Sequence, residues 1–279
     1  MEEKNQVQEY HKTWSSLIIL QITCLIVWLV GIFFYYLPLP KSSVVISRIS
    51  GAANPYDAFF LLASAIGALI IFYLLRRKHA LAPAVSILFG IVVFNTALIF
   101  IEPLVAFTVS VLIVFIERMY RSFVSNNFLI ILGVFAASIS FVSSYSTNFL
   151  LILIGLLALY DIAGVFWWKA IPKVAKNAAK IGIPLVLLIP KKNNLWFKVP
   201  TPDTISSMLG AGDLFVPLIF LSATSFQWGY KVALIALVGA IIGNIGNILL
   251  VRKIKNGIPA LPLLAIGLAV GYGIGLLIF

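Results

Sequence analysis

Charge is what this chain has least of. Lys, Arg, Asp and Glu make up only 10% of its 279 residues, against about 25% in a soluble globular domain. There is one cysteine, Cys24, so no internal disulfide can form. There are two histidines, His11 and His79, and both flank apolar runs. That excludes a zinc protease of the HExxH kind, which needs histidine ligands at membrane depth. It also excludes a serine nucleophile with a histidine base. Acidic residues number nine against twenty basic ones, a formal net charge of +11. The basic residues fall in the gaps between apolar runs. A nucleic-acid protein would cluster them on a face with aromatics among them, so no nucleic-acid partner is expected.

What is present is hydrophobic, at 62% of the chain. A bilayer core takes about 20 apolar residues per helix. Nine segments meet that need: 14–37, 57–75, 81–100, 103–117, 128–147, 149–168, 207–226, 230–251 and 258–278. The expected fold is therefore an all-α polytopic membrane protein of nine transmembrane helices. The first run is too long for the core of a cleaved leader and reads as a span. The boundary between the fifth and sixth spans rests on STN at 146–148.

The gaps test that count. Alternate loops, taken with the N-terminus, hold 17 of the 20 basic residues, and the other side has only Lys41, Arg48 and Lys231. The positive-inside rule then puts the N-terminus in the cytoplasm and the C-terminus outside. Dropping the short fourth span would reverse the parity of everything after it and collapse the asymmetry. The chain divides into a six-helix part at 1–168, a cytoplasmic loop at 169–206 and a three-helix part at 207–279. In the loop, the lysines of KAIPKVAKNAAK recur at helical spacing and read as a solvated helix extension. IGIPLVLLIP (181–190) follows, too short to span and holding two prolines. It is expected to lie on the membrane surface or to form a short strand. Late in the chain, Gly239 and Gly243 are four apart, as are Gly267, Gly271 and Gly275. That spacing allows close helix packing.

Asp57, Glu102 and Glu117 stand at span ends, and only two of the nine acids lie inside spans: Asp161 in ALYDIAGVF and Asp213 in LGAGDLFVP. An ionisable side chain in a span is functional until shown otherwise. Asp161 lies about 12 Å from the cytoplasmic end of the sixth span, and Asp213 about 9 Å into the seventh. Consecutive antiparallel helices pack as neighbours, so both carboxylates are expected at one depth on facing helices. Two close carboxylates in low dielectric do not both ionise; they share a proton. Such a pair suits amide hydrolysis by activated water, one member taking a proton from water and the other giving one to the scissile carbonyl. No metal, cofactor or nucleophilic side chain is needed. Gly210 and Gly212 carry no side chain, so another backbone can come close beside Asp213. Pro259 and Pro262 are expected in the first turn of the ninth span, level with the aspartates.

Tyr160–Asp161, Gly210–Ala211–Gly212–Asp213 and Pro259–Ala260–Leu261 stand in the sixth, seventh and ninth of nine spans. With these motifs in that order, the chain resembles the presenilin and signal peptide peptidase family of intramembrane aspartyl proteases. The motif-bearing part runs from about 155 to 275; the first five spans match in number and hydrophobicity. The resemblance implies a presenilin-like fold, aspartic endopeptidase activity and Asp161 and Asp213 as the catalytic pair. It implies that Tyr160, Gly210, Gly212 and the Pro259–Ala260–Leu261 segment shape the site, and that the substrates are transmembrane helices, locally unwound at the cut; IGIPLVLLIP, or the Pro259–Ala260–Leu261 backbone, is expected to offer the edge that such an extended segment pairs with. MLGAGDLFVPLIF looks closer to the signal peptide peptidase form, whereas the charge-derived orientation matches presenilins, signal peptide peptidases being inverted. The compact sixth loop points to an archaeal homologue acting without accessory subunits; self-association stays open. Prepilin peptidases also carry GxGD but have fewer spans. From another class, a proton-coupled transporter or an ion leak would use the same membrane carboxylates. No repeat relates the two halves, however, and both acids lie toward one face.

Overall fold

The computed structural model describes residues 2–34, 81–97, 101–142, 145–167, 185–253 and 259–279. The expected second span at 57–75 and the lysine-rich KAIPKVAKNAAK stretch lie outside them. Eight helices are described: α1 (Glu2–Phe34), α2 (Leu81–Ala97), α3 (Pro103–Met119), α4 (Phe123–Val142), α5 (Thr147–Ile162), α6 (Ala211–Trp228), α7 (Tyr230–Lys253) and α8 (Leu261–Ile278). They correspond to the first expected span and to the third through ninth. A two-stranded antiparallel sheet, β1 (Val186–Pro190) with β2 (Ile205–Gly210), is added to the helical plan.

Helix α6 is the centre of the bundle. Every residue from Val216 to Ser225 is buried, and α1, α4, α5, α7 and α8 all pack against it. Two side-chain bonds fix α1 to it. The Trp28 indole N–H donates to the Leu214 carbonyl at 3.0 Å, and the Ser225 hydroxyl donates to the Ile32 carbonyl at 2.6 Å. Pro217, inside α6, supplies no N–H to the carbonyl four residues before it, which is that of Asp213. Away from the centre, Ile152, Leu156 and Leu159 on α5 and Ile242, Ile245 and Leu249 on α7 face outward. An apolar exterior of this kind is what lipid requires.

Three of the boundaries that differ from expectation bear on the site. The fifth span begins at Phe123, five residues before the expected 128, because Asn126 and Asn127 are inside the helix and bond to β1. The seventh span begins at Ala211, because residues 205–210, in part assigned to that span, pair with β1. The ninth begins at Leu261, so Pro262 is in its first turn but Pro259 precedes it. The fifth-to-sixth boundary is where STN placed it. The Ser146 hydroxyl caps α5 by accepting from the Phe149 N–H, an N-cap arrangement.

The glycine spacing is used between α7 and α8. A Cβ on Gly239 would collide with the Gly267 carbonyl, and one on Gly267 with the Gly239 carbonyl. Gly243 sits against Leu263 and Leu264, Gly271 against Ile235 and Ala236, and Gly275 against Val232. Between Gly239 and Gly267 backbone lies on backbone, so no rotamer change can relieve an added side chain. Gly267→Val is expected to cost about 1–3 kcal/mol through overpacking. The check is the thermal midpoint in detergent, which should fall together with activity, since α8 carries part of the site described next.

Candidate active site

Helices α5 and α6 run antiparallel and are clamped at the end far from the aspartates. Gln227 Oε1 accepts from the Thr147 N–H at 2.9 Å and the Thr147 hydroxyl at 2.8 Å, while Gln227 Nε2 donates to the Tyr145 carbonyl at 3.1 Å. Asp161 is 14 residues after Thr147, and Asp213 is 14 residues before Gln227. Equal distances of about 21 Å along two antiparallel helices put both carboxylates at the same depth. The expected common depth on neighbouring helices is thus met, since α5 and α6 pack against each other.

Their local settings differ from a plain mid-helix position. Asp161 ends the α-helical part of α5 and is 8% exposed; one turn of π-helix, Ala163–Trp167, continues the chain. Asp213 is the third residue of α6, in its first turn. Asp161 Oδ2 accepts a 3.1 Å hydrogen bond from the Leu261 N–H. That N–H is the first of α8, one of the donors a helix start leaves without an internal partner. The Pro259–Ala260–Leu261 segment is thereby tied directly to Asp161. Pro259 is buried, and Ala260 and Leu261 are half-buried. Tyr160, beside Asp161 in the chain, is exposed.

The two glycines stand differently from expectation. A Cβ on Gly210 would meet, at 3.4 Å, only the Asp213 carboxylate, and a Cβ on Gly212 would meet nothing within 4 Å. Among the described residues no other backbone occupies the place where either side chain would stand, so helix packing does not account for them.

Strand β1 does not offer the free edge that IGIPLVLLIP suggested. Asn126 Nδ2 donates to the Val186 carbonyl at 3.0 Å; Asn127 Nδ2 donates to the Leu188 carbonyl at 2.8 Å, and its Oδ1 accepts from the Leu188 N–H at 2.9 Å. One edge of β1 is closed by α4 and the other by β2. The register pairs Val186 with Gly210 and Leu188 with Met208, and the ladder runs on through the Ala211 N–H to the Leu185 carbonyl, 2.9 Å. Backbone groups alternate in direction along an antiparallel strand. Since Val186 and Leu188 face α4, their partners Gly210 and Met208 face the opposite edge, beside Asp213. Neither asparagine is among the residues that the sequence reading singles out, although two consecutive amides bordering an apolar run are a visible signal.

Among the described residues, no three His, Cys, Asp or Glu side chains lie together as metal ligands would. A helical membrane bundle that holds a pair of carboxylates at one depth on two packed helices, one of them bonded to the first N–H of α8, belongs to the class of intramembrane aspartyl proteases. The family follows from the chain as a whole. Residues 2–278 match the family described as signal peptide peptidase, and the chain belongs to that family. No curated relative matches it. Its fold is that of two solved structures titled as a presenilin family intramembrane aspartate protease, in C222 and P2 crystal forms. Each has a TM-score of 0.59 over 95% of this chain, with 18% and 19% identity and 99% and 97% of those chains covered. The chain is an integral membrane protein and an aspartic endopeptidase acting on membrane-embedded substrates.

Proposed function

We propose that Asp161 and Asp213 are the residues that carry the hydrolysis. The observation that supports this is the single end of the bundle at which both carboxylates, the Pro259–Ala260–Leu261 turn and the outward edge of β2 are gathered. One carboxylate takes a proton from a water molecule as its oxygen attacks the scissile carbonyl; the other, protonated, donates to the carbonyl oxygen. The tetrahedral intermediate collapses with the proton passing to the leaving amine, and one proton remains shared by the pair. Both acids come from one chain, so the chemistry needs no second copy.

The substrate is a transmembrane helix unwound at the cut. An extended segment can take the place of a third strand on β2, using the outward backbone groups of Met208. That edge replaces IGIPLVLLIP as the docking strand. Tyr160, Gly210, Gly212, Pro259, Ala260 and Leu261 border the space the segment would enter.

The N-terminus is assigned to the cytoplasm on the distribution of 17 of 20 basic residues. The cut would then fall toward the cytoplasmic side of substrates whose N-termini are outside. A single cysteine introduced at Lys191 in the chain with Cys24→Ser tests this. A membrane-impermeant maleimide should label it only after intact cells are permeabilised; labelling in intact cells would reverse the orientation.

The hydrolytic reading itself is tested by cleavage of a model transmembrane substrate in liposomes, with wild type beside Asp161→Asn and Asp213→Asn. Cleavage that survives either substitution removes that aspartate from the mechanism.

A further inference from the structure

A polar side chain that belongs to none of the motifs is bonded to the Pro259–Ala260–Leu261 turn. Asn247, on α7, is only 6% exposed. Its Nδ2 donates to the Ala260 carbonyl at 2.6 Å. Its Oδ1 is buried and has no donor among the described residues. A buried carboxamide with an unanswered acceptor is unfavourable for folding. Three residues earlier on the same helix, Asn244 donates to Gln21 of α1, so helix association already has an amide contact. Among the described residues, the bond to Ala260 is what stands against the cost of burying Asn247.

The Ala260 carbonyl and the Leu261 N–H belong to the same peptide unit. That unit is planar, and its C=O and N–H point in opposite directions. On one side the plane receives Asn247 Nδ2; on the other it donates to Asp161 Oδ2 at 3.1 Å. Fixing the oxygen fixes the direction of the N–H. Donation to the carbonyl also polarises the amide and strengthens the N–H as a donor, as in any chain of hydrogen bonds. Helix α7 packs closely on α8 through Gly239, Gly243, Gly267 and Gly271, which keeps Asn247 in register with the turn.

We infer that Asn247 is a positioning residue for the hydrolysis, orienting Asp161 through the Ala260–Leu261 peptide. The inference rests on the assignment of Asp161 as a catalytic carboxylate. Asn247 acts through the peptide plane and touches neither water nor the scissile bond. It therefore serves the step in which Asp161 exchanges a proton, more than the step in which substrate is held.

Asn247→Leu tests this, since leucine keeps the volume, removes the donor and suits a membrane helix. The purified variant is compared with wild type, Asn247→Gln and Asp161→Asn for cleavage of a transmembrane substrate in liposomes and for thermal midpoint. The expected result for Asn247→Leu is a kcat reduced roughly 10- to 100-fold, the scale of a misplaced catalytic group. KM should stay within about twofold, as for an interaction used beyond substrate binding, and the thermal midpoint should not fall. Asn247→Gln, which restores a carboxamide donor, should recover part of the lost kcat. The inference is overturned if kcat for Asn247→Leu stays within about threefold of wild type. It is also overturned if kcat, KM and thermal midpoint worsen together and glutamine restores nothing. Full activity of Asp161→Asn would instead overturn the catalytic assignment. An inactive Asp161→Asn beside a fully active Asn247→Leu sinks only the role of Asn247.

Discussion

Asp161→Asn and Asp213→Asn are each expected to lower the rate of substrate cleavage by about 10³-fold or more, on the scale of lost general acid–base catalysis. Asparagine keeps the shape and the acceptor oxygen, so the carboxamide of Asp161→Asn would still receive the Leu261 N–H that Asp161 receives at 3.1 Å. What it loses is the ability to take up and release a proton. In the proposed mechanism the two carboxylates act as one unit, because one must be charged while the other is neutral. Removing either leaves the partner without its counterpart. The double substitution should therefore be no slower than the worse single one, as for catalytic groups that fail together. Multiplicative losses in the double variant would mean that the aspartates act in separate steps. Substrate binding, read by crosslinking or co-purification, should persist in all three variants, since the β2 edge and the α8 turn remain. Thermal midpoints should not fall, because each substitution removes the capacity for charge from the interior of the bundle.

The features that are legible in the sequence are those set by the bilayer. Seventeen basic residues on alternate loops require nine spans, and eight of the corresponding helices are described, with the remaining expected span outside the described residues. The rarity of acids within spans isolates Asp161 and Asp213, and helix rise alone predicts their common depth. The glycine spacing foretells the α7–α8 seam. What the sequence hides is local. ISSMLG in β2 is a run of small and apolar residues directly before a helix, and so short a run reads equally well as the helix start. Its strand character comes from β1, some twenty residues earlier. Asn126 and Asn127 look unsuited to lipid, which pushes the expected start of the fifth span too late; they are spent on the edge of β1. Asn247 has the look of ordinary glue between membrane helices, and only the position of the Ala260 carbonyl distinguishes it.

The second large effect is expected at Met208. Its N–H and carbonyl point away from β1, because its partner Leu188 turns its own to Asn127. Met208→Pro removes that outward N–H and nothing from the β1–β2 ladder. Proline is tolerated in a strand where its missing N–H faces an open edge. The residue before it, Ser207, is already in the extended conformation that proline imposes on its neighbour. The hairpin should therefore survive. If an extended substrate segment pairs with β2, the lost bond alone removes about 0.5–1.5 kcal/mol. Imperfect alignment of the scissile carbonyl against the carboxylates adds to that, for a total fall in kcat/KM of about 10- to 100-fold. Leu209→Pro is the contrasting variant. Leu209 lies on the inward-bonded register with Leu187, so proline there breaks the hairpin and should lower the thermal midpoint as well as activity. Prolines at 185–188 would not separate these effects, since β1 is bonded on both edges. Cleavage by Met208→Pro at the wild-type rate would exclude strand pairing on β2 while leaving the aspartates in place. The substrate would then have to be held by the Pro259–Ala260–Leu261 turn alone. A fall in kcat/KM with an unchanged thermal midpoint would place the substrate backbone on the strand that leads directly into Asp213.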